Sequence, residues 1–302
     1  MYDLIIIGSG PAGLSAAVYG KRAGFSTLVI EENPMSGGQV LNTYEVDNYL
    51  GLPGISGFEM GMQFREHADR LGAEFTEGRA EQIEKCGQTW KVTTTEGIFE
   101  AKAVILAAGA THRHLEVPGE EAFSGRGVSY CATCDGMFYK DKSVVIVGGG
   151  NTAVADALFL AKICKKVYLV HRRDELRASK TYMDSLEKTT NIEFVWSSEV
   201  AEILEDGMVT GVKVKNKADG SLREIACDGI FVAIGNIPNT DLIKGQVALD
   251  EAGYVVADET TKTNIPGVFA VGDMRAKPLR QIVTAVADGA VASKYAEEFI
   301  DL

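Results

Sequence analysis

The feature that most constrains the fold is an apolar run followed by a glycine-rich turn, which occurs twice in the 302-residue chain. The first copy reads "LIIIGSGPAG" over residues 4–13, and the second reads "VVIVGGGNTA" over residues 144–153. A short, uninterrupted apolar run is typical of a parallel strand that is buried on both faces. Each copy continues into a predicted helix and a second apolar run. The sequence therefore predicts an α/β fold with two Rossmann-like dinucleotide-binding units.

The glycines of both copies fit the fingerprint of a dinucleotide-binding turn. Gly8 permits the tight turn, Gly10 lets a pyrophosphate approach the backbone, and Gly13 lets the helix pack closely on the strand. Between them stand Pro11 and Ala12, which belong to the same predicted cofactor-binding set. The second copy has the same spacing, and its members are Gly148, Gly150, Asn151, Thr152 and Ala153.

The two copies differ at the end of the strand that follows the helix. Glu31 follows Gly8 by 23 residues, and His171 follows Gly148 by the same 23 residues. A carboxylate suits free ribose hydroxyls, so the first unit suits FAD or NAD, with Glu32 as the alternative acceptor. Guanidinium groups suit a 2′-phosphate, so the second unit suits NADP. The basic set of the second unit is His171, Arg172, Arg173 and Arg177.

Three further apolar runs end in small-residue turns and indicate how the domains are arranged. They cover residues 103–110, 229–240 and 267–273. The simplest assembly inserts the second nucleotide-binding domain into the first. We therefore expect an outer domain of residues 1–115 and 243–302, and an inserted domain of residues 116–242.

A single C-x-x-C pair, Cys131 and Cys134, stands just before the second fingerprint. A structural zinc site needs four ligands, and only His112 and His114 are available to complete one. A redox role connects the parts better, because a C-x-x-C pair forms a small disulfide ring and can exchange electrons with a bound nucleotide or flavin. Asp135 follows directly and either exchanges a thiol proton or shapes an Asp-Gly turn.

Composition narrows the environment and the partners. The five cysteines form an odd, scattered set, which favours a reducing compartment, and we expect a cytoplasmic protein. The net charge is −12 and no basic stripe is present, so a nucleic-acid partner is not expected. No apolar run approaches the length of a membrane helix.

These motifs together resemble those of the low-molecular-weight thioredoxin reductases, and the resemblance covers essentially the whole chain. The segments that carry it are "GSGPAG" (8–13), "GGQ" (37–39), "CATCDG" (131–136), "GGGNTA" (148–153), "HRRDELRA" (171–178), "AIGNIPNT" (233–240), "GVFAVGD" (267–273) and "LRQIVTAVADGAVA" (279–292). The resemblance implies FAD in the first unit and NADPH in the second. It also implies a homodimer and a thioredoxin or thioredoxin-like protein as partner.

The resemblance further implies roles for individual residues. Asp273 would reach the ribityl chain of the flavin, and Cys134 would face the flavin with Cys131 as its partner. Which cysteine attacks the substrate stays open. The remaining residues that would line the flavin are Gly38, Gln39, Asn48, Gly272, Arg280, Gln281 and Ile282. Two other functions share parts of this pattern: a flavin-dependent NADP reductase for another protein, such as ferredoxin, a glutaredoxin-like protein or a peroxidase component, and an NADP-sensing module with zinc.

Overall fold

The computed structural model describes residues 1–43, 45–186 and 188–301. The chain divides into two compact units, one formed by Met1–Thr111 with Ile237–Leu302 and the other by His112–Asn236. The predicted fold class, an α/β protein with one Rossmann-like unit inserted into another, is confirmed. The chain crosses between units at 111/112 and 236/237, whereas the sequence placed these crossings at 115/116 and 242/243.

The elements have the following bounds. The strands are β1 (Tyr2–Ile7), β2 (Thr27–Glu31), β3 (Glu74–Glu77), β4 (Ala80–Cys86), β5 (Thr89–Thr94), β6 (Gly97–Leu106), β7 (Ala110–His112), β8 (Val128–Ser129), β9 (Ser143–Val147), β10 (Lys166–Val170), β11 (Ile192–Val195), β12 (Ser198–Glu205), β13 (Val209–Asn216), β14 (Leu222–Ala226), β15 (Gly229–Val232), β16 (Asn236–Pro238) and β17 (Val268–Ala270). The helices are α1 (Pro11–Arg22), α2 (Gly57–Arg70), α3 (Ala132–Asp135), α4 (Asn151–Ala161), α5 (Lys180–Leu186) and α6 (Ile282–Ile300).

The first unit is built on a sheet in the order β3-β2-β1-β6-β5-β4. Strands β3, β2, β1 and β6 are parallel, and β17 runs parallel to the second half of β6. Residues 4–7 of β1 are buried, as expected for a strand covered on both faces. The parallel strands place the carboxyl ends of β1, β2 and β17 at one edge, which is where open α/β sheets bind ligands.

Helices α1 and α6 pack tightly against each other in this unit. A Cβ at Gly289 of α6 would overlap the carbonyl oxygen of Ala12 in α1, so only glycine permits this approach. Ser15 Oγ donates to the carbonyl of Val286 at 2.7 Å, and Ser293 Oγ donates to that of Ala16 at 2.9 Å. The start of α1 is thereby fixed against α6.

The inserted unit has a parallel sheet in the order β11-β10-β9-β15-β8. Helix α4 follows β9, so the second glycine turn lies at the carboxyl end of that strand. An antiparallel sheet, β12-β13-β14, completes the unit. The predicted apolar run at 229–240 forms β15 and then, as expected, ends in a small-residue turn, in which Gly235 adopts a φ of +103° before β16 begins. Across the residues with described structure, no helix is long and apolar enough to cross a membrane.

Candidate active site

The glycine turn between β1 and α1 has the geometry of a nucleotide-binding turn. Gly8 has a φ of +103°, and a Cβ there would overlap the carbonyl oxygen of Ala107. A Cβ at Gly13 would overlap the carbonyl oxygen of Gly8. At Gly10 the nearest atom to an added Cβ is Gly38 Cα at 3.9 Å, an ordinary contact distance, so the backbone there is not crowded. Together with the free amides at the start of α1, this open backbone fits a pyrophosphate.

The carboxylate at the end of β2 is that of Glu31. Its Oε2 accepts from Ser9 N at 2.7 Å and from Ser9 Oγ at 2.6 Å. Its Oε1 accepts from the backbone N and from Nδ2 of Asn33, both at 2.9 Å. Four hydrogen bonds hold this carboxylate beside the glycine turn, whereas Glu32 is exposed.

The other residues predicted to line the flavin also lie in the first unit. Gln39 Nε2 donates to the carbonyl of Ala110, and Asn48 Nδ2 donates to Gln281 Oε1 at 2.9 Å. The latter bond joins two predicted residues that are far apart in sequence. Gly38 starts a 3-10 turn against the glycine turn, Gln281 caps α6, Ile282 is its first residue, and the Arg280 guanidinium lies 3.9 Å from the centre of the Tyr254 ring.

A buried ion cluster supports the turn that carries Gly272 and Asp273. Asp288 of α6 accepts from Gly272 N at 2.9 Å, from Arg275 through Nε at 2.9 Å and Nη2 at 2.8 Å, and from Lys277 Nζ at 2.9 Å. Burial opposes ionisation of Asp288, but Arg275 and Lys277 outweigh it and lower the pKa of this carboxyl. The sequence does not predict this cluster, because the three charges are separated along the chain and show no motif.

The second glycine turn repeats the geometry of the first. Gly148 has a φ of +157°, and an added Cβ would overlap the carbonyl oxygen of Ala233. At Gly149 an added Cβ would overlap the ring of His171, so the imidazole lies flat against this glycine. Gly150 has no atom within 4 Å of an added Cβ, so the backbone is open there. This turn also fits a pyrophosphate.

The basic residues that follow β10 are arranged beside this turn. Arg177 N donates to the carbonyl of Gly149 at 2.8 Å, and Asn151 Oδ1, at the start of α4, accepts from Ser179 N at 2.8 Å. Arg172, Arg173 and Arg177 are exposed, and no carboxylate among the described residues forms an ion pair with them. Burial and the three arginines, Arg177 first, lower the pKa of His171 and favour its neutral form.

Cys131 and Cys134 form a disulfide, with Cα atoms 5.3 Å apart. The backbone turns into α3 directly after Cys131, and the carbonyl of Cys131 accepts from Cys134 N at 3.3 Å and Asp135 N at 3.1 Å. No group of three or more metal-ligating side chains occurs among the described residues. The two sulfurs are bonded to each other, whereas a zinc site would need both as thiolate ligands together with His112 and His114. A disulfide of this kind suits electron transfer.

Asp135 lies beneath the disulfide turn in a partly buried position. Burial raises the pKa of its carboxyl, and a hydrogen bond from Ser129 opposes this rise. Ser129 Oγ lies 2.6 Å from Asp135 Oδ2 and accepts from Cys131 N at 3.1 Å. The sequence predicts a role for Asp135 but not for Ser129, since a serine two residues before a cysteine belongs to no motif.

An α/β protein with two dinucleotide-binding turns and a disulfide beside one of them defines the class of nucleotide-dependent disulfide oxidoreductases. The chain belongs to the pyridine nucleotide-disulphide oxidoreductase family, whose model matches residues 2–289. It is 45% identical to a thioredoxin reductase of Peptoclostridium acidaminophilum, over 100% of this chain and 98% of the relative. It is 44% identical to a thioredoxin reductase of Listeria monocytogenes, over 100% of this chain and 94% of that relative.

Solved structures show the same likeness. The thioredoxin reductase of Streptococcus pyogenes matches with a TM-score of 0.95 and 42% identity, covering 100% of this chain and 98% of that one. That of Lactococcus lactis matches with a TM-score of 0.69 and 43% identity, covering 100% and 99%. The resemblance inferred from the motifs is therefore confirmed.

Proposed function

We propose that this protein is an NADPH-dependent thioredoxin reductase with FAD as its resident cofactor. The observation that carries the proposal is the Cys131–Cys134 disulfide, which lies in the same compact unit as a glycine turn flanked by exposed arginines that form no ion pair with any described carboxylate. This pairs a reducible group with a site suited to a phosphorylated nucleotide. The full-length similarity to curated thioredoxin reductases supports the same activity.

Both cofactors fit residues of the structure. The open backbone at Gly10 and the fixed Glu31 would hold the pyrophosphate and ribose of FAD, and Asp273 would reach its ribityl chain. The open backbone at Gly150 and the exposed arginines would hold NADPH. When bound, NADPH supplies a hydride and FAD passes the two electrons to the disulfide.

The chain's own residues then carry out thiol–disulfide exchange. Reduction of the Cys131–Cys134 bond takes two electrons and two protons and leaves two thiols. One cysteine, as thiolate, attacks a sulfur of the partner disulfide, which forms a mixed disulfide and releases a partner thiolate. The second cysteine then attacks the mixed disulfide, which restores Cys131–Cys134 and frees the partner. Asp135 would accept a proton from a cysteine thiol and donate one to a leaving thiolate.

The partner and assembly state form part of the same proposal. Thioredoxin or a thioredoxin-like protein is the electron acceptor, and the protein works as a cytoplasmic homodimer. Cys164 and Cys227 support a reducing environment, because both are buried free thiols, and burial raises their pKa values to about 11 and about 12. Such thiols are poor nucleophiles, so they do not compete with the redox pair.

The test is NADPH oxidation by the purified holoprotein with and without oxidised thioredoxin. We expect a yellow protein that turns over NADPH only when thioredoxin is present. Cys134→Ser should abolish this turnover, and Cys86→Ser, at an exposed free cysteine, should leave it unchanged. Turnover with ferredoxin, a glutaredoxin-like protein or a peroxidase component, but none with thioredoxin, would contradict the proposal.

A further inference from the structure

A serine that no sequence motif singles out connects the redox disulfide to the acid beside it. Ser129 ends β8, and its pairing with Phe231 of β15 fixes its backbone within the sheet. Its residue exposure is only 4%, so its hydroxyl has few alternatives to the partners it has. Three polar atoms surround that hydroxyl: Asp135 Oδ2 at 2.6 Å, Cys131 N at 3.1 Å and the Cys131 carbonyl at 3.3 Å.

The Ser129 hydroxyl has one proton and two possible acceptors for it. The carboxylate oxygen lies at 2.6 Å and the carbonyl oxygen at 3.3 Å, and hydrogen bonds to charged acceptors are shorter and stronger. The proton therefore points to Asp135 Oδ2. The serine oxygen in turn accepts from Cys131 N, which locks the hydroxyl in this direction. A chain of donors thus runs from the backbone of Cys131 through Ser129 to Asp135.

The other carboxyl oxygen of Asp135, Oδ1, differs from Oδ2 in its hydrogen bonding. Oδ1 is buried and has no hydrogen-bond partner within residues 1–43, 45–186 and 188–301. Since Oδ2 already receives the serine proton, a proton bound to the carboxyl belongs on Oδ1. Buried polar atoms without a partner are rare, and a redox or catalytic role is one of the reasons for which they are retained.

We propose that Ser129 is a positioning residue for the exchange reaction, holding Asp135 Oδ2 and so assigning the exchangeable proton to Oδ1. The inference rests on the proposed function, in which Asp135 exchanges protons with the cysteines. During reduction of a partner disulfide, Oδ1 takes the proton of one cysteine thiol and gives it to the leaving partner thiolate. The two electrons pass from the cysteine pair to the partner sulfurs.

A tyrosine interacts electrostatically with this carboxyl. This residue is Tyr139, from the 3-10 turn Gly136–Tyr139. Its burial and, to a smaller extent, the negative charge of Asp135 raise the pKa of the tyrosine to about 12. The tyrosine therefore stays neutral near physiological pH. Helix α4 presents Phe159 and Leu160 to the neighbouring Gly136. Burial favours the neutral form of Asp135, and the hydrogen bond from Ser129 opposes this effect.

The test is the pH profile of single-turnover oxidation of the prereduced holoprotein, measured with oxidised thioredoxin and separately with Ellman's reagent. The wild-type profile should contain one limb that depends on Asp135. This limb should be absent from the profile of Asp135→Asn. Ser129→Ala removes a hydrogen bond to the charged carboxylate, so this limb should move up by about one pH unit. Ser129→Thr keeps a hydroxyl and should restore the wild-type midpoint.

Matched controls separate positioning from general damage. Ser198→Ala removes another serine hydroxyl at 4% exposure in the same unit, one that donates to a carbonyl, and should not move the midpoint. Ser129→Ala in the Asp135→Asn background should also leave the profile unchanged. Should Ser129→Ala fail to fold, Ser129→Gly also removes the hydroxyl and is expected to give the same upward shift.

An unchanged or lowered midpoint in Ser129→Ala, or no recovery in Ser129→Thr, would overturn the inference. A wild-type profile without a limb that depends on Asp135 would overturn it too. Reaction with Ellman's reagent but not with thioredoxin would count against the proposed function alone. The shift of the pH midpoint could then still be measured with Ellman's reagent as the disulfide substrate.

Discussion

Replacing Asp288 by asparagine should destabilise the first unit more than any surface change of equal size. The carboxylate is the shared partner of Arg275 and Lys277, and the three side chains are only 8%, 5% and 3% exposed. Asparagine keeps the shape of the side chain but loses its charge and one acceptor oxygen. Two cations would then lose their buried counter-ion, and Arg275 would keep only the exposed Glu259, whose carboxylate lies 3.9 Å away.

The expected loss follows from the burial of the cluster. Removing one partner of a buried ion pair typically costs about 3–5 kcal/mol, because the remaining charge is neither solvated nor paired. The asparagine oxygen still accepts one hydrogen bond, so we expect about 3 kcal/mol, the lower end of that range. Such a loss corresponds to a fall in Tm of roughly 10 °C for a unit of this size.

The same cluster predicts a pH dependence. Because the pKa of Asp288 is lowered in the folded chain, its contribution is present above the unfolded pKa, about 3.9, and is lost as the pH falls through the folded pKa. The difference in unfolding free energy between wild type and Asp288→Asn should therefore be largest near neutral pH and shrink in acid.

Urea unfolding at several pH values measures both effects, with Glu298→Gln as the control. Glu298 is an exposed acid on the same helix, and its change should stay within about 0.5 kcal/mol. Since Asp288 also accepts from Gly272 N, the variant should bind FAD more weakly as well. A loss below about 1 kcal/mol, or a loss independent of pH, would refute the reasoning.

Three further predictions follow from the two glycine turns and the inserted unit. Arg172→Ala with Arg177→Ala should raise the KM for NADPH at least tenfold, because charge-assisted bonds to the 2′-phosphate are lost, with little change for NADH; an equal rise for both nucleotides would contradict the assignment. Gly8→Ala should give a protein without bound flavin, judged by its visible spectrum, whereas Gly24→Ala, where no atom lies within 4 Å, should stay yellow although its φ of +87° costs some stability. Tyr130→Phe removes a hydroxyl that donates to a buried carboxylate at 2.9 Å, and urea unfolding should show a loss of about 1–2 kcal/mol; no loss would mean that this bond is not needed.

The fold was predictable because its signals are local. Continuous apolar runs at β1 and β9 and the glycines after them define the strand–turn–helix units wherever they occur. The bounds were less predictable. The sequence predicts the crossings between the units at 115/116 and 242/243, whereas they lie at 111/112 and 236/237, because no local signal marks where the chain passes from one unit to the other.

The site was predictable where chemistry follows from residue type and spacing, as for Cys131 and Cys134. It was not predictable where a residue acts through tertiary contacts. Asp288 reaches Arg275 only because α6 packs beside the turn at residues 272–274. Ser129 reaches Asp135 only because the chain turns at Cys131. Such contacts follow from the packing, which residue spacing does not encode.

The two nucleotide sites also differ in how firmly the protein holds their side chains in place, and this difference predicts how each site binds its ligand. The carboxylate of Glu31 is held by four hydrogen bonds, as suits a cofactor that stays bound. Arg172, Arg173 and Arg177 are exposed, as suits a nucleotide that binds and leaves in every cycle. Interactions of exposed charges are screened by salt, since the Debye length falls from about 10 Å at 0.1 M to about 3 Å at 1 M. The KM for NADPH should therefore rise severalfold over this range while the protein keeps its flavin, measured by NADPH titration and by the flavin absorbance after gel filtration. A KM for NADPH that does not depend on salt would show that the arginines do not bind the 2′-phosphate.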